Sequence, residues 1–129
     1  MLATQLPHLY LQHDPQKGRS VHTSSDIMKG SVIEICPTIL LSKEDTLKIH
    51  ETLLHDYYFL WNTEGQSAIA LGYGSLYNHS ETPNAIFELV YGDNEIHIIA
   101  AQDIEASNEI TINYMELKNE KYKLWFKPS

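Results

Sequence analysis

The run GYGSLYNHSETPNA (72–85) crowds Asn78, His79, Ser80, Pro83 and Asn84 into one short stretch. Polar residues at that density belong on a surface loop. Yet Leu76 and Tyr77 lead into them directly from an apolar stretch, so an Asn-His pair is held close to the core. Other candidate chemistries in the chain are weaker. HETLLH (50–55) has one residue too many for the His-Glu-x-x-His of metalloproteases, and on a helix His50 and His55 would not share a face. Gly72-Tyr73-Gly74 lacks the third glycine and the strand-to-helix setting of a dinucleotide fingerprint. Ser75 and Ser80 have no Gly-x-Ser-x-Gly elbow around them. Asn78-His79-Ser80 is formally a glycosylation sequon, but the N-terminus MLATQLPHLYLQHD has neither the basic nor the apolar region of a signal peptide.

Composition bounds the rest. A chain of 129 residues with 43% hydrophobic and 20% charged residues reads as one globular domain with a core of its own. Cys36 is the only cysteine, which excludes an internal disulfide and a thiolate zinc site, so no metal is expected and an intracellular, reducing setting fits best. No segment approaches the roughly 20 apolar residues of a membrane span. The net charge of −8 argues against nucleic acid and suits a Lys/Arg-rich protein or peptide partner.

The elements that must position the Asn-His run are mostly strands. SVIEICPTILLS (31–42) reads as two short strands broken at Pro37. SKEDTLKIHETLL (42–54) opens with a capping pattern, Ser42-x-x-Asp45, and spaces Leu47 and Leu54 seven apart, which predicts a short helix. IFELVYGDNEIHIIAA (86–101) predicts a hairpin with a three-residue turn at Gly92-Asp93-Asn94. EITINY (109–114) alternates as a strand and ends on Tyr114. The fold class expected is mainly β, a β-rich α+β domain with mostly antiparallel pairing.

Two of these segments together resemble the SET-domain protein lysine methyltransferases. NHSETPN (78–84) is similar to that family's Asn-His-Ser-x-x-Pro-Asn motif, and EITINY to its Glu-Leu-Thr-x-x-Tyr motif, in the right order and with a hairpin between. KGRSVHTSSDIMKGSVIEI (17–35) resembles the family's opening segment, and DYYFLWN (56–62) falls where the family carries a tyrosine-bearing segment. The resemblance spans 17–114 of a single domain over 1–129, with 115–129 as a flanking segment. The fold it implies is several small sheets with a knot-like crossing of the Asn78-His79 and Tyr114 segments, an exception to ordinary chain topology. Three departures stand out. Ser20 replaces the second glycine of the opening motif, Ser107-Asn108 replaces a glycine before the last strand, with Asn108 expected to take the positive-φ turn position, and no Cys-rich zinc element follows Tyr114.

The resemblance implies transfer of a methyl group from S-adenosylmethionine to a lysine in a basic, histone-like segment. By the same resemblance Tyr114 is the catalytic phenol, orienting rather than deprotonating, with Tyr57 beside it. Lys17, Gly18, Arg19, Ser20, Tyr57, Asn78, the main chain of His79 and Tyr114 would hold the cofactor. Tyr122 and Trp125 are open between stacking on adenine and packing the tail. Tyr58, Phe87 and Ile112 are assigned to the lysine channel, with Tyr58 turned the other way if 58–60 is a strand, and core packing is an equal reading of Tyr57 and Tyr58. Neither Ile112 nor Phe87 carries a hydroxyl, so di- or trimethylation is expected rather than a stop at one methyl. Minimal SET proteins of viruses and microbes include dimers, so a homodimer through Leu124, Trp125 and Phe126 is an open expectation, as is location in the cytoplasm or a host nucleus. The rival readings are a non-catalytic SET fold that binds peptide or cofactor, favoured by Ser20 and Ser107, and a small histidine-dependent hydrolase.

Overall fold

The computed structural model describes residues 8–16 and 18–114. It is mostly β, as expected. A first hairpin, β1 (Leu9–Asp14) and β2 (Gly18–Thr23), forms a two-stranded antiparallel sheet. The sequence reading did not anticipate β1. Gly18, at φ +83°, turns the chain into β2, a conformation that costs a glycine nothing.

The main sheet has five antiparallel strands in the order β4-β5-β3-β8-β7. β3 is one continuous strand, Val32–Leu41, not two. Pro37 sits where its pairing passes from β8 (Glu95–Ala100) to β5 (Ser67–Ala70), so the missing N–H falls at a change of partner and the strand runs through. β3 also carries a bulge between Val32 and Glu34, which adds Ile33 and brings Ile33 and Glu34 both into the interior. The turn between β7 (Ala85–Val90) and β8 holds four residues rather than three, because Val90 pairs with Glu95; Asn94 takes the left-handed position at φ 54°. Period two then holds on β8, where Ile96, Ile98 and Ala100 are buried.

Helix α1 (Lys43–His50) starts as expected, with Ser42 Oγ accepting from the Asp45 N–H at 3.1 Å. Its docking is polar rather than apolar. Leu47 and Leu54 are exposed, and α1 is tied to β5 by Thr46 Oγ1, which donates to the Ser42 carbonyl and accepts from Ser67 Oγ at 2.6 Å. A 3₁₀ turn, Leu53–Asp56, then leads to Tyr57 and β4 (Tyr58–Leu60).

The third sheet brings the two motif segments together. β6 (Asn78–His79) pairs in parallel with β9 (Thr111–Ile112), Asn78 opposite Thr111 and His79 opposite Ile112. Asn84 clamps the pair: its Nδ2 donates to the Glu109 carbonyl at 2.8 Å, and its Oδ1 accepts from the Thr111 N–H at 2.9 Å. Residues 33 positions apart are thereby fixed side by side, with Ile110 and Ile112 in the core behind them. The positive-φ residue in the turn before this sheet is Ser107, at φ 76°, and not Asn108. Ser107 is held there by both its polar main-chain groups, its N–H donating to the Thr23 carbonyl at 2.6 Å and its carbonyl accepting from His22 Nδ1 at 3.0 Å.

Candidate active site

Two cavities meet beside β9. The larger is an open cleft of about 290 Å³ lined by Gly18, Arg19, Asp56, Tyr57, Leu76, Asn78 and Tyr114. The smaller, about 10 Å³ and so room for roughly one water, is walled chiefly by Tyr57, Phe59, Gly74, Tyr77, Ile112 and Tyr114. Asp56, Tyr57 and Tyr114 line both. A polar cleft therefore opens, at two phenols and a carboxylate, into a narrow and mostly apolar channel.

Tyr114 is fixed from three sides. Its hydroxyl donates to the Tyr77 carbonyl at 2.6 Å, its N–H donates to His79 Nδ1 at 2.9 Å, and its ring lies 5.3 Å from the His79 ring. Because the hydroxyl hydrogen goes to Tyr77, the phenol oxygen remains an acceptor. Burial, reinforced by the neighbouring charges of Tyr57, Asp56 and Glu109, holds the Tyr114 phenol above its ordinary pKa, so it is neutral at physiological pH. Asn78 ties the cleft together. Its Nδ2 donates to the Arg19 carbonyl and to Glu109 Oε2, both at 2.8 Å, and so joins β2, β6 and the start of the Tyr114 segment.

Of the residues singled out from the sequence, Gly18, Arg19, Tyr57, Asn78 and Tyr114 converge on the cleft, and Ile112 on the channel. Others are placed elsewhere. Ser20 turns its hydroxyl to His22 Nε2 at 2.9 Å and to the Gln12 carbonyl, away from the cleft lining. His79 is exposed and outside the cleft lining; its ring supports the Tyr114 backbone. Phe87 lies behind the channel, packed edge-on against Phe59 at 5.1 Å, because β7 turns Ala85, Phe87 and Leu89 together toward the core. Tyr58 borders the channel, but its hydroxyl points to His50 Nδ1 at 2.8 Å and its ring packs with Leu60, Ile49 and Ile69. Lys17, Tyr122 and Trp125 lie outside the described residues, as does the whole segment 115–129. Asp56 and the imidazole of His79 were missed: Asp56 precedes Tyr57 in the quoted segment, but nothing in its type or spacing marks it.

The SET domain family matches residues 18–115, which takes in both motif segments and every element lining the two cavities. The chain belongs to the SET-domain family. A curated relative, the histone-lysine N-methyltransferase specific for H3 lysine-37 of Schizosaccharomyces pombe, is 31% identical over 119 residues, 92% of this chain and 76% of the relative. Among solved structures, a candidate histone methyltransferase of Plasmodium falciparum superposes with a TM-score of 0.67 at 31% identity, covering 84% of this chain and 94% of that one. CpSET8 from Cryptosporidium shares the fold, with a TM-score of 0.65 at 24% identity over 82% of this chain and 56% of that one.

Proposed function

We propose that this SET domain is a protein-lysine N-methyltransferase that uses S-adenosylmethionine and acts on a lysine in a basic, histone-like segment. The observation that carries this reading is the junction of an open cleft with a narrow pocket that has room for about one water, at Tyr57 and Tyr114. The cleft fits the cofactor by its chemistry: the Arg19 and Asn78 side chains and the Asp56 carboxylate complement a zwitterionic amino acid, and Tyr57 and Leu76 offer apolar surface. When bound, S-adenosylmethionine supplies a methyl group on a sulfonium, whose positive charge also disfavours the ammonium form of a nearby amine.

The chain's own residues provide the rest. Only about one free lysine in a thousand or fewer is neutral at pH 7. Phe59, Ile112 and the aromatic rings around them exclude water from the side chain, which lowers its pKa. The Tyr114 oxygen, its own hydrogen engaged by Tyr77, accepts from the incoming amine and aligns it; held neutral, it does not act as the base. The net charge of −8 and the Asp56 carboxylate at the junction favour a cationic substrate.

The test is incubation with labelled S-adenosylmethionine and a panel of basic proteins, followed by mass mapping of modified lysines. Label on lysine is expected, together with a rise in melting temperature on adding cofactor. Asn78→Ala is expected to weaken that rise. Folded protein that neither shifts at millimolar cofactor nor transfers label would overturn the reading.

A further inference from the structure

Glu34 is the only charged side chain among the described residues that is buried, at 4% exposure. A desolvated carboxylate is costly unless hydrogen bonds offset the loss of water. Here the partners are donors rather than cations. Glu34 Oε1 accepts from the Tyr77 hydroxyl at 2.7 Å, and Oε2 from the Tyr73 N–H at 2.9 Å. The Cys36 thiol, which burial and Glu34 push well above its ordinary pKa, lies in the same pocket of the core. Gly72, at φ +71°, passes so close that a Cβ there would collide with Glu34 Oε2.

The two donors bracket one segment. Between Tyr73 and Tyr77 the chain makes a single 3₁₀ turn, Gly74–Leu76, too short to hold its own place by backbone bonds. This turn supplies Gly74 and Ser75 to the channel wall and Leu76 to the cleft, and Tyr77, which follows it, adds to the wall. The carbonyl of Tyr77 also receives the Tyr114 hydroxyl. One carboxylate on β3 thus grips both ends of the wall that holds the phenol.

We propose that Glu34 is a positioning residue for methyl transfer: by fixing Tyr73 and Tyr77 it sets the Tyr77 carbonyl, and through it the Tyr114 hydroxyl, relative to the channel. An apolar side chain of similar size would fill the core without the cost of a buried charge, but would leave the Tyr73 N–H and the Tyr77 hydroxyl without acceptors. The inference rests on the methyltransferase reading above.

The test uses Glu34→Gln in the full chain. The amide matches the carboxylate in shape but offers one acceptor oxygen, so it keeps both contacts only by reversing and weakening the one to Tyr77. With folding and cofactor-induced stabilisation retained, kcat is expected to fall about ten- to hundredfold, the scale of a small misplacement at the reacting centre. Tyr77→Phe, which removes the same bond from the other side, is expected to do likewise and carries the test should Glu34→Gln fail to fold. The deciding readout is coupling to Tyr114. If Glu34 acts through the phenol, adding Glu34→Gln or Tyr77→Phe to Tyr114→Phe lowers the residual rate by no more than about threefold. Losses that multiply, or full kcat in folded Glu34→Gln and Tyr77→Phe, would overturn the role while leaving the methyltransferase reading intact. A wild type that neither binds cofactor nor transfers methyl removes both.

Discussion

Tyr114 is placed to accept rather than to abstract. Its hydrogen lies on the Tyr77 carbonyl at 2.6 Å and its surroundings hold it neutral, so what it offers the proposed transfer is one hydrogen-bond acceptor. Tyr114→Phe removes that atom and leaves the ring, the His79 contact and the core in place. Turnover should fall about 30- to 1,000-fold, the equivalent of about 2–4 kcal/mol, while the cofactor-induced melting shift survives. Full activity would move the role to Tyr57. The number of methyl groups added is a second matter of single atoms. Around the channel the hydroxyls of Tyr58, Tyr77 and Tyr114 go to His50, Glu34 and the Tyr77 carbonyl, which leaves Tyr57 as the phenol with no partner among the described residues. Ile112, buried in the wall, has no hydroxyl to hold a water where, on the proposed function, a methylated amine would turn. The wild type is expected to reach di- or trimethyl-lysine, and Ile112→Tyr to stop mostly at one methyl, read from the product masses at long incubation. Exclusive monomethylation by the wild type would mean that Tyr57 supplies the water site.

Among the elements, the turn before β9 carries a measurable strain. Ser107 at φ 76° is a residue with a Cβ in left-handed backbone, held by Thr23 and His22. Ser107→Gly removes the Cβ penalty and should stabilise the fold by up to about 1 kcal/mol, the gain reduced by glycine's freedom in the unfolded chain. Asn108→Gly should not stabilise, and the two urea midpoints compared directly decide between the positions. The same turn shows what a sequence can specify. NHSETPN and EITINY could be matched because their side chains bond to each other's backbones, as Asn84 does to Glu109 and Thr111, and such chemistry restricts residue type. β3 could not be read in the same way. Strict alternation in VIEIC puts Ile33 and Ile35 inside and Glu34 outside, but the bulge adds one residue and turns Glu34 inward. A bulge is set by the partner strand, 60 and more positions away, and leaves no local mark. Phe87 was misplaced for a related reason, since only the register of β7 on β8 puts its ring behind Phe59 instead of in the channel. Helix α1 announced its start through Ser42 but not its docking, which runs through Thr46 and Ser67 while Leu47 stays exposed.

At the scale of the whole molecule, the channel gathers phenols that the fold keeps protonated. Tyr58, Tyr77 and Tyr114 all border it, and all three are held above the ordinary tyrosine value of about 10. Burial is the leading cause in each; the charge of Asp56 adds to it at Tyr58, and that of Glu34 at Tyr77. The sign follows from proton binding. Above pH 10 the unfolded chain releases these protons while the folded chain keeps them, so the unfolded state binds fewer and stability falls as pH rises. The contribution is fully present below about pH 10 and is lost progressively as pH climbs toward the folded values. Urea midpoints taken from about pH 8 to about pH 11 should therefore hold level at first and then drop. Tyr58→Phe removes one titrating group at the edge of the channel without touching Tyr114 or Glu34. It should lower the midpoint slightly throughout, through loss of the bond to His50, but make the alkaline decline shallower than in the wild type. A decline equally steep in both proteins would assign the alkaline loss to lysine and arginine titration rather than to the phenols around the channel.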